Sequence, residues 1–263
     1  MKLFEKISKL NELKLWNRKI RFNDLKIQST TFDRILYLYL NRLNLMGRTD
    51  RVIYHKYIKP GMNIVDIGAN IGLHSIIFSN IVGNEGKVYS FEPEKALFQA
   101  INETIKINNL NNVKAYNIAL GEKAQNKLLY RSAFNSGDNR LAKENSLSLM
   151  EGAVVSVERL DKILCNKRVD FVKMDVQGWE IHVLEGMDDI FKRNPNLIVY
   201  FEYWPRGLRM AGKNPTDLLT LLKNYGLSIF RMERNSENEI HDLNKITNSS
   251  IEDQTINFIA RYR

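Results

Sequence analysis

Asp66 and Glu92 are the acidic residues whose positions point most directly to chemistry. Asp66 belongs to the segment IVDIGANIG at residues 64–72, and Glu92 ends the apolar run KVYSFE, twenty residues after Gly72. An apolar strand, a glycine turn, a helix and a second strand that ends in an acid are typical of an adenosine-binding site in an α/β sheet. Glycine at position 68 allows a sharp turn and close approach to a ligand because it has no Cβ. A carboxylate such as Glu92 can accept hydrogen bonds from both ribose hydroxyls, so the spacing predicts an adenosine-cofactor site.

The glycine pattern distinguishes between two cofactors. Dinucleotide sites use G-x-G-x-x-G, which lets a pyrophosphate lie on a helix N-terminus. In this chain Asp66 occupies the position of the first glycine. Its charge would repel a pyrophosphate but suits an ammonium or sulfonium group. The pattern therefore favours S-adenosylmethionine over NAD, and the alternative is an ordinary turn that binds no ligand.

Polar residues also follow the later apolar segments. Asn117, Asp175 and Glu202 each come at the end of such a segment. In open α/β sheets, ligands bind at the carboxyl ends of the strands, near the point where the strand order reverses. We therefore expect these residues to converge with Asp66 and Glu92 on one edge of the sheet.

Length and composition are those of a globular protein with one large domain. The chain has 263 residues, of which 44% are hydrophobic and 26% charged, which is enough for one α/β domain with an N-terminal extension. No segment reaches the roughly 20 apolar residues of a membrane span, and no signal-peptide core is seen. The single cysteine, Cys165, cannot form an internal disulfide. A cytoplasmic location is the expectation.

Much of the net charge of +9 lies near the N-terminus, because residues 1–26 contain eight basic and three acidic side chains. Apolar residues recur at near-helical spacing over residues 3–15, which indicates an amphipathic helix. Such a basic arm can contact a membrane surface or another anionic partner. The alternative is a helix packed on the domain with its lysines in water.

Alternating strands and helices indicate the fold class. Strands are predicted over 63–67, 87–91, 113–118, 169–174, 197–203, 227–233 and 255–262. Helices are predicted over 30–58, with a break at Gly47 before a short helix at 50–58, and over 72–82, 94–108, 159–165, 179–192 and 215–225. Between about 122 and 158, β-segments at 127–131 and 153–157 surround a polar loop and predict an inserted β-hairpin or flap. The pattern predicts an α/β fold with a mostly parallel seven-stranded sheet, helices on both faces and an antiparallel edge strand.

The assembled motifs resemble the FkbM-type family of S-adenosylmethionine-dependent methyltransferases. The resemblance covers roughly residues 48–205 and rests on VDIGANIG (65–72), FEP (91–93), Asn117-x-Ala-Leu-Gly, the block VKMDVQGWE (172–180) and Leu184-x-Gly. The VKMDVQGWE block is the most specific of these. The resemblance implies a Rossmann-like class I methyltransferase fold, and residues 1–46 and 235–263 fall outside it. We predict a basic N-terminal helical extension at 1–46 and a methyltransferase domain at 47–263. The family resemblance further implies a hydroxyl acceptor, on a sugar, a glycan or a natural product, without identifying it.

The resemblance also implies a set of cofactor-binding residues. The glycine loop would pass the methionine portion, Glu92 would bind the ribose, and residues 117–119 would flank the adenine. The predicted cofactor-binding residues are Asp66, Gly68, Ala69, Asn70, Gly72, Ser75, Glu92, Pro93, Asn117, Ala119 and Asp175.

Asp175, Glu202 and His74 are the candidate catalytic residues. Methyl transfer to a hydroxyl benefits from a base that removes its proton. A carboxylate has an ordinary pKa of about 4 and needs burial or a neighbouring acid to act as one, whereas histidine has a suitable pKa. Asp175 could instead cap a helix, and Glu202 could pair with Arg206 or Arg209 on the surface. Two carboxylates without a third ligand do not predict a metal site.

The acceptor is predicted to contact the flap and nearby aromatic residues. Arg140 can bind a carboxylate or phosphate, and Asp138 and Asn139 can bind sugar hydroxyls, although this segment can also be a simple polar turn. Trp179, Tyr203 and Trp204 can stack on a sugar or belong to the core. The expected partner is a small-molecule or glycan acceptor, with no nucleic acid. The alternatives are a nucleic-acid methyltransferase, motivated by the basic arm, and a non-catalytic cofactor-binding scaffold.

Overall fold

The computed structural model describes residues 19–22, 25–28, 48–132, 136–141, 149–233, 236–241, 246 and 253–263. The strands are β1 (Lys19–Phe22), β2 (Leu25–Gln28), β3 (Asn63–Ile67), β4 (Lys87–Phe91), β5 (Val113–Tyr116), β6 (Ala119–Leu120), β7 (Gln125–Ser132), β8 (Leu149–Glu158), β9 (Phe171–Met174), β10 (Ile198–Tyr203), β11 (Ser228–Met232), β12 (Glu237–Glu239) and β13 (Ile256–Arg261). The helices are α1 (Arg48–Tyr57), α2 (Leu73–Val82), α3 (Lys95–Ile107), α4 (Leu160–Ile163), α5 (Glu180–Leu184), α6 (Asp188–Arg193), α7 (Pro205–Met210) and α8 (Pro215–Asn224).

A mixed sheet forms the centre of the described structure, with the strand order β12-β11-β13-β10-β9-β3-β4-β5. Strands β10, β9, β3, β4 and β5 are parallel, and β13 is antiparallel to both of its neighbours. The central strands β3 and β9 consist almost wholly of buried residues, as expected where helices cover both faces. One core cluster lies between the sheet and helices α1 to α3, and the other packs against α4 to α8. The α/β class predicted from the sequence is confirmed.

The strand count and the position of the last strand differ from the prediction. The described sheet has eight strands rather than seven, because a short strand, β12, pairs with β11 at the edge. The last two strands were predicted to place an antiparallel strand at the edge of the sheet, but the antiparallel strand β13 lies between β10 and β11. Its residues Phe258, Ile259 and Ala260 are all fully buried, which requires cover on both faces. The polar sequence ENE of β12 suits the solvent-exposed edge better.

The N-terminal region contains an antiparallel hairpin, in which β1 pairs with β2. It is therefore not helical over residues 19–28, contrary to the predicted helical extension. The hairpin is attached to α3, because the Lys26 N–H donates to Asn108 Oδ1 at 3.0 Å and the Gln28 N–H donates to Thr104 Oγ1 at 2.9 Å. The predicted helices over 3–15 and 30–47 lie outside the described residues, and the domain boundary at residue 46 stays a prediction.

The predicted flap is a three-stranded sheet, ordered β6-β8-β7, with a 3-10 turn at Ser136–Asp138. The helix predicted over 179–192 is two short helices, α5 and α6. They are separated at Gly186, where a Cβ would lie 2.2 Å from the carbonyl oxygen of Gly121. Helix α7 was not predicted. In the described part of the chain, the helices are all too short or too polar to cross a bilayer.

Candidate functional site

A cavity of about 350 Å³ opens at the carboxyl ends of β3, β4 and β9, beneath the flap. Its wall combines segments distant in sequence: the glycine loop, the start of α2, the turn after β4, the flap and the turn after β9. Its residues include Gly68, Ala69, Asn70, His74, Glu92, Pro93, Ala119, Asp138, Asn139, Arg140, Lys173, Asp175, Gln177 and Trp179. These strand ends thus meet at one edge, as the sequence predicted.

The glycine loop ties the three strand ends together. The backbone N–H groups of Gly68 and Ala69 both donate to the carbonyl oxygen of Phe91, at 3.1 and 3.0 Å. Gly68 has a φ of 75°, and a Cβ there would lie 1.9 Å from the carbonyl oxygen of Asp175. Only glycine fits this position, and it leaves the loop backbone open to a ligand. Gly72 also has positive φ, but it lies outside the cavity wall, and a Cβ there would lie 3.3 Å from Ile101 Cγ1.

Glu92 is a buried carboxylate in the cavity wall. Its oxygens accept hydrogen bonds from the backbone N–H groups of Asn70 and Glu94, both at 2.9 Å. Burial raises the pKa of Glu92 to about 8, although these N–H groups favour the charged form. Asn117 lies behind this turn and donates to the carbonyl oxygens of Glu92 and Pro93, at 3.0 and 2.9 Å. Asn117 therefore shapes the turn and is not part of the cavity wall.

Asp66 and Ser75 lie beneath the glycine loop and outside the cavity wall. Ser75 Oγ donates to Asp66 Oδ2 at 2.6 Å, and Ser90 Oγ donates to Ser75 Oγ at 2.8 Å. Burial raises the pKa of Asp66, and the nearby charge of Lys173 opposes that rise. Both residues, predicted to bind the cofactor, support the loop from below in this structure.

Lys173 is a charged residue of the cavity wall that the sequence analysis did not single out. It is 4% exposed, and its Nζ lies 3.7 Å from Asp66 Oδ1 and 3.8 Å from Asp175 Oδ2. Its Nζ is also 3.4 Å from the carbonyl oxygen of Gly68. Burial disfavours the ammonium form, but the carboxylates of Asp175 and Asp66 outweigh this effect and raise the pKa of Lys173. The sequence signal for this residue is the presence of a lysine within the otherwise apolar strand β9.

Gln177 joins the two acids that were predicted as bases. Its Nε2 donates to Asp175 Oδ1 at 2.7 Å and to Glu202 Oε2 at 3.1 Å. Burial and the charge of Asp175 raise the pKa of Glu202 to about 8. Asp175 lies in the cavity wall, and Glu202 lies behind it. The two acids are therefore close together, and Arg206, a suggested surface partner of Glu202, pairs with Asp253 at 3.1 Å.

His74 lies in the cavity wall near the start of α2. Its Nδ1 is hydrogen-bonded to the hydroxyl of Tyr54 at 2.9 Å. Burial lowers the pKa of His74 to about 3, and the charge of Lys173 acts in the same direction. The imidazole is therefore neutral at physiological pH.

The flap contributes Asp138, Asn139 and Arg140 to the cavity wall. Arg140 is buried, its Nε donates to the carbonyl oxygen of Asp138 at 3.1 Å, and its guanidinium lies 5.0 Å from the ring centre of Trp204. The flap is also joined to the glycine loop, because the side-chain amide of Asn70 donates to Ser136 Oγ at 2.9 Å.

The three predicted aromatic contacts have different positions. Trp179 lies in the cavity wall and stacks on His182, with ring centres 3.7 Å apart. Tyr203 is fully buried and packs edge-on against Phe258. Trp204 is covered by Arg140 and lies outside the cavity wall.

One group of potential metal ligands lies outside the cavity. Single ligand atoms of Glu122, His182 and Glu185 lie within 4.8 Å of one another. The ammonium of Lys213 binds both carboxylate oxygens of Glu185, at 2.7 and 2.9 Å, so that carboxylate already has a cation partner. Asp175 and Glu202 belong to no such group among the described residues, and the absence of a metal stays a prediction.

The strand order, the glycine loop and the acid after β4 together define a Rossmann-like class I methyltransferase. Residues 66–229, more than half of the chain, match the Methyltransferase FkbM domain, and the chain belongs to this family. It is 27% identical over 199 residues to Methyltransferase sdnD of Sordaria araneosa, covering 64% of this chain and 74% of that protein. It is also 27% identical to Methyltransferase 1 of Beauveria bassiana, covering 48% of this chain and 58% of that protein.

Solved methyltransferase structures have more distant similarity. A SAM-dependent methyltransferase from Aquifex aeolicus is 16% identical with a TM-score of 0.43, covering 82% of this chain and 90% of that one. A SAM-dependent O-methyltransferase from Thermotoga maritima is 13% identical with a TM-score of 0.45, covering 96% and 81%. The family assignment rests on the domain match and not on these structures.

The cofactor is S-adenosylmethionine, and the residues of the cavity fit it. The missing Cβ at Gly68 leaves the loop backbone accessible, and the carboxylate of Glu92 can accept the two ribose hydroxyls. The carboxylate of Asp175 would supply negative charge for the ammonium and sulfonium groups. The largely apolar residues Ile118, Ala119 and Leu120 would provide a surface for the adenine.

Proposed function

We propose that this protein methylates a hydroxyl oxygen on a sugar, a glycan or a natural-product scaffold. The observation that carries the proposal is the pair of acids joined by Gln177, with Asp175 in the cavity wall and Glu202 directly behind it. A hydroxyl acceptor must lose its proton as the new bond forms, and a nearby carboxylate can receive it. An amine that is already neutral has less need of such a base.

The two acids have different roles in this proposal. Asp175 is the acid that an acceptor in the cavity can reach, and it receives the proton of the acceptor hydroxyl. Glu202, whose pKa is raised to about 8, already holds a proton of its own near neutral pH, and Gln177 keeps the two carboxyl groups at fixed positions. S-adenosylmethionine supplies an electrophilic methyl group, so the remaining task of the protein is to orient the acceptor oxygen.

The side chains of the flap suit an acceptor that carries several hydroxyl groups. Asp138 and Asn139 bring polar groups to the cavity wall, and Arg140 brings a buried guanidinium. Trp179 offers an aromatic surface of the kind that stacks on sugar rings. This combination suits a polyhydroxylated molecule with an apolar face.

Transfer of an isotope-labelled methyl group to pools of glycans and hydroxylated metabolites tests the proposal. We expect a labelled product whose methyl group survives alkaline hydrolysis, because an ether is stable where a methyl ester is cleaved. A product labelled at nitrogen or as an ester would contradict hydroxyl methylation.

Two variants test whether Asp175 is the acid that removes the proton from the acceptor hydroxyl. Asp175→Asn should abolish most of the transfer and leave a cofactor complex detectable by calorimetry. Asp189→Asn is the matched control, because Asp189 is exposed on α6 away from the cavity. Unchanged turnover in Asp175→Asn would remove the basis of the proposal.

A further inference from the structure

Glu92 lies between the cavity and two attachment points of the flap. Its Oε2 accepts a hydrogen bond from the backbone N–H of Asn70, and its Oε1 accepts one from the backbone N–H of Glu94, both at 2.9 Å. The side chains of Asn70 and Glu94 each contact a residue of the flap. The carboxylate that suits the ribose is therefore connected to the flap twice, each time through a single residue.

Asn70 forms the first connection. Its φ of 53° is left-handed, a conformation that asparagine adopts more readily than most residues. Its Oδ1 accepts from the N–H of Ile71 at 2.7 Å, which fixes the side chain, and its Nδ2 donates to Ser136 Oγ at 2.9 Å. Ser136 is buried, and its carbonyl oxygen accepts from the N–H of Asn139 at 3.2 Å. The position of the glycine loop at Asn70 is thus passed to the turn that carries the polar flap residues.

Glu94 forms the second connection. Its Oε2 accepts from the N–H of Leu97 at 2.8 Å and caps α3, while its Oε1 lies 3.8 Å from Arg131 Nη1 on β7. The next residue, Ser132, donates its N–H to Asn139 Oδ1 at 2.9 Å. The Arg131–Glu94 ion pair is partly exposed, and such pairs contribute little to stability. It is therefore the weaker connection, but it leads to the same turn of the flap.

The charge on Glu92 sets the strength of both hydrogen bonds that it accepts. Burial raises the pKa of Glu92 to about 8, so much of the free protein carries a protonated carboxyl near neutral pH. A protonated oxygen is a poor acceptor for an N–H group. Ribose hydroxyls favour the charged form, whose hydrogen bonds are roughly twice as strong as those of a neutral group. Occupation of the ribose site should thus tighten the bonds to Asn70 and Glu94 together.

We propose that Asn70 and Glu94 are positioning residues that couple cofactor binding at Glu92 to the flap segment at 136–140. The acceptor side of the cavity then takes its final form when a methyl donor is present. The role of this segment toward the acceptor rests on the proposed function. The coupling itself depends only on the cofactor and the flap.

Hydrogen exchange of the full chain, with and without S-adenosylhomocysteine, tests the coupling. In the wild type, saturating ligand should slow exchange of the Asn139 and Arg140 amides about fivefold or more, the lower end of usual coupling between two sites. Ser136→Ala removes the hydroxyl that accepts from Asn70 and should abolish most of this protection. Ser156→Ala is the matched control, because Ser156 is exposed on β8 of the flap and lies outside the cavity wall. Calorimetry verifies that the ligand saturates each variant.

The ratio of the exchange rates without and with ligand separates coupling from a structural role. If Ser136 only stabilised the flap, its replacement would speed exchange equally in both states and leave the ratio unchanged. An unchanged ratio in Ser136→Ala, or no protection in the wild type, would overturn the proposal. The measurement contains no methyl acceptor, so a failure of hydroxyl methylation would not alter its result.

A second variant tests the weaker connection. Arg131→Met replaces a side chain that is 39% exposed, so the fold should tolerate the change, and thermal unfolding verifies this. The ligand-dependent ratio at the Ser132 amide should fall, by a smaller factor than Ser136→Ala causes at Asn139. An unchanged ratio at Ser132 would contradict the role of Glu94.

Discussion

Replacing Lys173 by methionine should destabilise the protein by leaving a buried carboxylate without its cation. Asp66 is 0% exposed, and its Oδ1 lies 3.7 Å from Lys173 Nζ and accepts no hydrogen bond from the residues that the structure describes. At an effective dielectric constant of about 20, two charges at this separation attract each other by about 4 kcal/mol. Removing one partner of a buried ion pair typically costs about 3–5 kcal/mol.

The loss should depend on pH with a definite sign. Without Lys173, the pKa of Asp66 rises further above that of the unfolded chain, so the folded state binds a proton that the unfolded state does not. Below the unfolded pKa of about 4, both states are protonated and this penalty vanishes. The deficit relative to wild type should therefore grow from the folded-state pKa of Asp66 in the wild type, which burial already raises, up to the higher folded-state pKa of Asp66 in the variant.

Urea unfolding of Lys173→Met and wild type at several pH values measures this effect. A deficit of about 3 kcal/mol at neutral pH corresponds to a melting temperature lower by about 6–12 °C. The double variant Asp66→Asn/Lys173→Met removes both charges and should recover a large part of the loss. A deficit that is absent, or that stays constant with pH, would refute the reasoning.

Three further predictions concern the cavity wall. Ribose hydroxyls favour the charged form of Glu92, whose pKa is raised to about 8 in the free protein. Cofactor affinity should therefore rise with pH up to about 8, and binding below that pH should release a proton. Calorimetry in two buffers of different ionisation enthalpy measures the proton release, which Glu92→Gln should abolish. Gly68→Ala should abolish cofactor binding, because its Cβ would collide with the carbonyl oxygen of Asp175. Gly61 has a similar φ but open space around it, so Gly61→Ala should leave binding intact. Urea unfolding should show that Gly61→Ala lowers the free energy of unfolding by only about 1 kcal/mol. Gln177→Glu adds a third carboxylate beside two others, so the rising limb of the pH–rate profile should move up by about one pH unit; an unchanged profile would show that these acids do not set it.

The parts of the site that sequence could predict are those encoded within one short segment. The glycine loop and Glu92 combine residue types and spacing that few other structures require, and the central strands follow their apolar runs closely. The motif alone did not predict that the side chain of Asp66 points away from the cavity. Alternation along β3 points it beneath the loop, and its partner Lys173 comes from a strand more than a hundred residues later.

The remaining errors have a similar origin. In the sequence, nothing distinguishes Gln177 from an ordinary loop residue. It joins Asp175 to Glu202 only because the fold brings the ends of two neighbouring strands together. The short strands β1 and β2, with four residues each, carry too little periodicity to identify within a charged segment. An apolar run predicts that β13 is a strand, but it does not specify which strands lie beside it.

The position of β13 has a consequence for how the molecule tolerates damage. Strands β10 and β11 do not pair with each other; each is held through β13. Removal of residues 256–261 would thus cut the sheet internally, exposing two unpaired rows of backbone amides and carbonyls on apolar strands. Such rows are templates for intermolecular association, so proteolytic loss of this segment should lead to aggregation rather than to a slightly shorter enzyme.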